Sequence, residues 1–299
     1  MSLGFSMALD EITLVLFTTL APTGAMACVI MAAVLVFSPL GESERTRVNR
    51  ALCIPLIVAM VGLIASATHL GSPANALYVL LGVGRSPLSN EVFCAGLFLA
   101  SCGLYWLFCF TEKQYVRAQK VWCAAIALAG LVCIGAIAMA YDASTIVTWN
   151  TWYVPLNVWF SAFAGGPLLA MLGLRAARAV CLHAKASGVL VAGSLIALVA
   201  NVACLVMQNA SLGGIWNGYG TALDLVPMYP VMIAWYAGTG LTAIGCAAWP
   251  LRGRDLPSVV RLTLCCALFF AGLFVVRFGF YMMHMTYGLG VELYRRSSK

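Results

Sequence analysis

Side chains able to exchange protons near neutral pH are few in this sequence: three histidines and ten acidic residues among 299. His69 and Glu91 are the pair whose placement could do chemistry, because the first closes one long apolar run and the second opens the next. Two such runs, crossing a bilayer in opposite directions, bring an imidazole and a carboxylate to the same boundary between hydrocarbon and water. There they could accept the two protons that a dihydroxy aromatic ring sheds as it loses two electrons. Plainer duties are open to both. His69 can complement the negative end of its helix, and Glu91, with Ser89 and Asn90 before it as possible caps, can favour the positive start of the following one. From spacing alone the two readings stand side by side.

Arg277 lies inside the last apolar run, about two turns before His284. An arginine at membrane depth needs a carboxylate, a carbonyl or water, and Glu91, Asp142 and Asp224 are the possible partners on its side. A structural ion pair and a contact with a bound ligand are both open. A bis-histidine haem needs two histidines facing each other within spans, and His69 and His284, which share a side, both sit at span ends, so no haem is expected. His183 falls in a basic loop. None of the twelve cysteines forms a C-x-x-C pair, so no iron–sulfur or zinc site is readable, and most lie in apolar runs where a thiol acts as a small hydrophobe. Trp149, Trp152, Tyr153, Trp216, Tyr219, Tyr229, Trp235 and Tyr236 crowd the same side, read as an interfacial aromatic belt rather than a ring-binding pocket.

The elements that would hold these residues follow from composition. With 63% hydrophobic and 9% charged residues and a mean hydropathy of +0.95, a soluble, disordered or fibrous protein is excluded. Eight apolar runs can be marked, at residues 12–37, 51–68, 91–110, 121–141, 152–174, 187–207, 226–249 and 258–285. The expected fold is therefore an all-α integral membrane protein, residues 1–299 forming one polytopic domain of eight transmembrane helices in a bundle. Arg45, Arg47, Arg50, Lys113, Arg117, Lys120, Arg175, Arg178, Lys185, Arg252 and Arg254 occupy the odd connections, against Arg85 alone in the even ones. The positive-inside rule then puts the even connections and both termini outside. Arg295, Arg296 and Lys299 in the tail point the other way. The cations never form the continuous stripe that nucleic acid needs. Met1 to Glu11 lacks the positive region of a cleaved signal, so the first run is expected to be a retained span. Prolines at 22, 55, 155, 167, 227 and 230 are read as packing kinks, with a broken-helix ligand site as the alternative.

The connection between the second and third runs carries something more specific. His69-Leu70-Gly71-Ser72-Pro73, then Ala76, then Gly84-Arg85-Ser86-Pro87-Leu88-Ser89-Asn90-Glu91 closely resembles the signature of the membrane anchor subunits of anaerobic dimethyl sulfoxide reductases. Leu14 to Leu20 with Ala21 and Gly24, and Arg277-Phe278-Gly279-Phe280-Tyr281, are supporting matches. The resemblance implies an anchor in a bacterial cytoplasmic membrane that oxidises menaquinol, carries no haem or metal, and passes electrons to an iron–sulfur subunit serving a molybdenum-bis-guanylate catalytic subunit. It puts the quinol-site histidine on His69 and the glutamate on Glu91, with Gly71 and Pro73 shaping the turn between them. The full quinol-binding set expected is His69, Gly71, Pro73, Arg85, Glu91 and Arg277. One departure is Asn75, where many members look basic. An anchor without its own quinol site, and a secondary transporter, are the competing readings.

Overall fold

The structure, a computed structural model, describes residues 3–68, 73–111, 113, 115–218 and 220–286. Among the described residues all regular structure is helical. A short α1 (Leu3–Asp10) precedes α2 (Ile12–Phe37), α3 (Glu42–Ala51), α4 (Cys53–Thr68), α5 (Pro87–Phe108), α6 (Val116–Ala140), α7 (Tyr153–Ala176), α8 (Ala184–Leu212), α9 (Ala222–Leu225), α10 (Tyr229–Ala248) and α11 (Val259–Met282). Eight stretches are long and apolar enough to span a bilayer: α2, α3 with α4, α5, α6, α7, α8, α10 with the 3-10 turn after it, and α11. The protein is a multi-pass membrane protein. The basic connections share one end of the bundle, here the basic face, and α1 and the end of α11 share the other, the terminal face.

Several boundaries differ from the expected runs for local reasons. The second span begins earlier than residue 51, because Glu42 and Glu44 in the first turn of α3 and Arg50 in its last suit the helix dipole. Pro55 explains the break between α3 and α4 at Leu52: it has no N–H for the Ala51 carbonyl, and its ring crowds that carbonyl. Residues 73–82 of the second connection, which read as turn, form a 3-10 helix, Pro73–Gly82. Of the prolines read as kinks, Pro22 and Pro167 do lie inside helices. Pro155 and Pro230 sit in first turns, where no intrahelical hydrogen bond is lost, and Pro227 falls in the turn before α10.

The spans form two groups of four, α2, α4, α5 and α6 in one and α7, α8, α10 and α11 in the other, joined where α2 lies against α7 and α11 and where α6 lies against α7. Burial follows that arrangement, with α7 the most enclosed span. In lipid, helices gain little from hiding apolar surface from one another, so close packing of small residues holds them together. At the α2–α4 crossing Gly24 faces Ala59 and Gly62 faces Ala21, and a Cβ on Gly24 would lie 2.6 Å from the Ala59 backbone nitrogen.

The second group also holds a buried polar network near the terminal face. Arg277 donates from Nη2 to the Asn157 carbonyl at 3.0 Å and to Ser161 Oγ at 2.7 Å. Asn157 Nδ2 donates to Gln208 Oε1 at 2.8 Å, Asn201 Nδ2 donates to Asn157 Oδ1 at 2.9 Å, and the Tyr236 hydroxyl donates to Asn201 Oδ1 at 2.9 Å. These bonds tie α7, α8, α10 and α11 in a setting where an unmet polar group costs several kcal/mol. Among them lies a cavity of about 10 Å³, room for one water molecule.

Close packing at Gly24 gives a testable contrast. Gly24→Ala should lower stability by about 1–3 kcal/mol, because the new methyl group meets backbone. Gly193→Ala, on α8 where a Cβ meets nothing within 4 Å, should be neutral or stabilising by up to about 1 kcal/mol. Chemical unfolding of the two variants in detergent checks the pair, and equal effects would contradict the packing argument.

Candidate functional site

Glu91 is positioned by a turn that leaves it no capping duty. Gly84, at φ +83°, takes a conformation that a side chain would oppose, and its N–H donates to Asn90 Oδ1 at 2.7 Å. Ser86 is the cap of α5, its Oγ accepting from the Ser89 N–H at 3.5 Å, and Pro87 begins the helix. Glu91 therefore lies beyond the first turn, where the helix dipole has largely faded. The reading of Glu91 as a dipole partner loses its geometry. Its side chain turns inward and is only 4% exposed.

The surroundings of Glu91 are aromatic. Tyr141, Tyr281 and Cys133 lie within electrostatic reach of its carboxylate. Among the described residues, no hydrogen-bond donor reaches that carboxylate. Tyr281 donates instead to the Leu14 carbonyl at 3.2 Å. Behind the tyrosines, Trp149 stacks on Phe280 with ring centroids 4.7 Å apart and meets His284 at 4.9 Å. The segment between α6 and α7 folds over the end of α11 to close this wall: Thr148 Oγ1 donates to the Met283 carbonyl and Val147 N to the Met285 carbonyl. Burial pulls the His284 imidazole below its ordinary 6.5, which favours the neutral ring.

The other expected site residues are dispersed. His69 and Gly71 lie outside the described residues. Pro73 opens the 3-10 helix, and Arg85 is exposed immediately after Gly84. Arg277 is buried in the other helix group, and both Nη2 hydrogen bonds go to α7 rather than to a carboxylate. Its Nε has no partner among the described residues. The three acids expected near it are engaged differently. Glu91 faces the tyrosines, Asp142 keeps one buried oxygen unpartnered among the described residues, and Asp224 closes a capping box with Thr221 whose hydrogen bonds hold the carboxyl below its ordinary 3.8. Tyr141 and Tyr281 are within electrostatic reach of both Glu91 and Arg277.

The aromatic belt divides. Trp152, Trp216 and Trp235 are exposed as a belt requires, whereas Trp149, Tyr229 and Tyr236 are buried in the core. Asn157, Asn201 and Gln208 carry the polar network without having stood out in the sequence. A signal was present, because Asn201 and Gln208 fall two helical turns apart on one face of an otherwise apolar run.

An apolar groove of about 570 Å³ opens between α4 and α5, lined by Leu56, Met60, Leu99, Gly103, Leu104 and Leu107 among others. It runs along the outside of the first helix group, below the level at which α4 ends and Glu91 sits. Its walls carry almost no polar surface, so only a hydrocarbon chain suits it.

Comparison with known proteins agrees with this architecture over nearly the whole sequence. The DMSO reductase anchor subunit (DmsC) family matches residues 5–289. The sequence is 31% identical over 281 residues to the anaerobic dimethyl sulfoxide reductase subunit YnfH of Escherichia coli (strain K12), covering 94% of this protein and 97% of the relative. It is 31% identical over 285 residues to the C subunit of the anaerobic dimethyl sulfoxide reductase of the same organism, with coverage of 94% and 97%. The corresponding C subunit of Haemophilus influenzae is 30% identical over 285 residues, covering 95% and 98%. Eight apolar spans and a family match that runs from α1 past the end of α11 lead to one assignment: the chain belongs to the DMSO reductase anchor subunit family and is a membrane anchor subunit.

Proposed function

We propose that the protein binds menaquinol at the terminal face of the first helix group, oxidises it, and hands its electrons to an iron–sulfur subunit that serves a molybdenum-bis-guanylate catalytic subunit. In this reading it lies in the bacterial cytoplasmic membrane with the terminal face outside. The observation that carries the proposal is Glu91: a buried carboxyl group near the end of a span, with no donor to its oxygens among the described residues and two tyrosines within electrostatic reach. A quinol hydroxyl would supply such a donor. Menaquinol gives up two electrons and two protons. The Glu91 carboxylate takes one proton and the His69 imidazole the other, and the electrons leave through the ring edge toward the docked partner. His69 enters from the sequence motif alone, since it lies outside the described residues.

The remaining residues have separate parts. Arg85, exposed beside the turn, is available to the rim of the site or to the partner subunit. Arg277 holds the α11 end that presents Tyr281 through its Nη2 hydrogen bonds to α7, and its Nε is left without a partner among the described residues. The groove between α4 and α5 takes the isoprenoid tail, leaving the ring at the level of Glu91.

Two measurements test the proposal. In the intact complex, Glu91→Gln and His69→Ala should each slow quinol oxidation by about 100-fold or more while the subunits remain assembled, the scale expected of a lost proton acceptor. Near wild-type rates in both would refute the assignment. Gly103→Leu should fill the groove, since a Cβ there meets nothing within 4 Å. It should raise KM for a long-tailed menaquinol and leave a tail-less analogue unaffected. An equal effect on both would place the tail elsewhere.

A further inference from the structure

On the basic face, α10 runs into a 3-10 turn, Trp249–Gly253, then through Arg254 at φ 63° to Ser258, which caps α11. Two cavities meet there. The inner one, about 370 Å³, is a lateral slot between α10 and α11 lined by Gly245, Cys246, Leu264 and Leu268. The outer one, about 430 Å³, lies at the helix ends against Gly253, Asp255 and Ser258. Trp249 and Arg261 line both, so the apolar slot continues directly into the polar chamber. The slot opens outward: Leu264 is 65% exposed, Cys246 is exposed, and a Cβ on Gly245 would meet nothing within 4 Å.

We infer that this pair of cavities binds an anionic glycerophospholipid, one acyl chain in the slot and the phosphate in the chamber. The shape is that of an amphiphile, and the slot lies on a span surface that only hydrocarbon covers. The spacing of Arg261, Leu264, Cys265 and Leu268 puts the cation and the slot on one face of α11. Charge selects the headgroup. Arg261 lines the chamber, Arg252 lies over the Trp249 ring at 5.3 Å, and Arg254 stands in the same turn, against the single acid Asp255. The N-terminus of α11 adds the positive end of a long helix at the same place. Ser258 Oγ meets the Arg261 N–H at 3.2 Å, which leaves other first-turn N–H groups for phosphate oxygens. Trp249, 67% exposed at the slot mouth, is the ring an interface favours.

The full anchor, alone or in its complex, is purified from bilayers containing equal amounts of phosphatidylglycerol and phosphatidylethanolamine, and the lipids retained are counted by native mass spectrometry. Wild type should retain phosphatidylglycerol in several-fold preference. Arg261→Gln should abolish the preference, and Gly245→Leu, on an exposed helix surface, should reduce retention of phosphatidylglycerol by about tenfold with the helical content unchanged. Equal retention of the two headgroups by wild type, or an unchanged lipid complement in both variants, overturns the site. Both residues lie on the basic face, away from Glu91, so the outcome is independent of quinol chemistry.

Discussion

Hydrocarbon offers no hydrogen bonds, so every polar side chain at membrane depth has to be answered from within the protein or by something the protein binds. Arg277 and Glu91 are two buried ionisable side chains near the terminal face, and they are answered in opposite ways. Arg277 is met by the Asn157 carbonyl and the Ser161 hydroxyl, and through Asn157 by a chain of amides and phenols that reaches α8 and α10. Its interactions stabilise the second helix group. Glu91 is buried within electrostatic reach of Tyr141 and Tyr281 and receives no donor among the described residues. A carboxylate in that condition is poorly solvated until a hydroxyl arrives, which is the physical content of the proposed quinol site.

The same constraint shapes the packing. Because lipid is as apolar as leucine, the spans are held by fit, and the fit is tightest where small residues let backbones meet, as at Gly24 with Ala59 and Gly62 with Ala21. Where small residues face outward instead, the fit is left open. Gly103 opens the groove between α4 and α5, and Gly245 opens the slot between α10 and α11. The first groove lies along the half of α4 and α5 nearer the basic face, and the second ends in a cluster of arginines at that same face. Glycine thus serves two purposes in this fold, and which one applies depends on the neighbour it meets.

Much of this is legible in the sequence, and the exceptions have identifiable causes. The spans can be read because each must hold roughly 20 apolar residues regardless of its neighbours. The extension of the second span to Glu42 escapes hydropathy, which penalises charged residues even where they suit a helix at the interface. Residues 73–82 read as turn because glycine and proline flank them, yet a 3-10 helix needs no long apolar period and can form between such flanks. Glu91 stands out in the sequence as an ionisable group at a span boundary. Its tyrosine neighbours do not, since Tyr141 and Tyr281 are remote in sequence from it and from each other. Tyr229 and Tyr236 read as interfacial because aromatic residues near span ends usually sit there, and only the amides of Asn201 and Gln208 explain why these two turn inward.

The central claim is that Glu91 lies in a quinol site. Binding of a fluorescent menaquinol analogue to the purified complex, wild type against Glu91→Gln, tests it without depending on electron transfer. Saturable binding is expected at about one analogue per complex, weakened at least about tenfold by Glu91→Gln, equivalent to roughly 1.4 kcal/mol or more. Binding of unchanged affinity and stoichiometry in Glu91→Gln would contradict it.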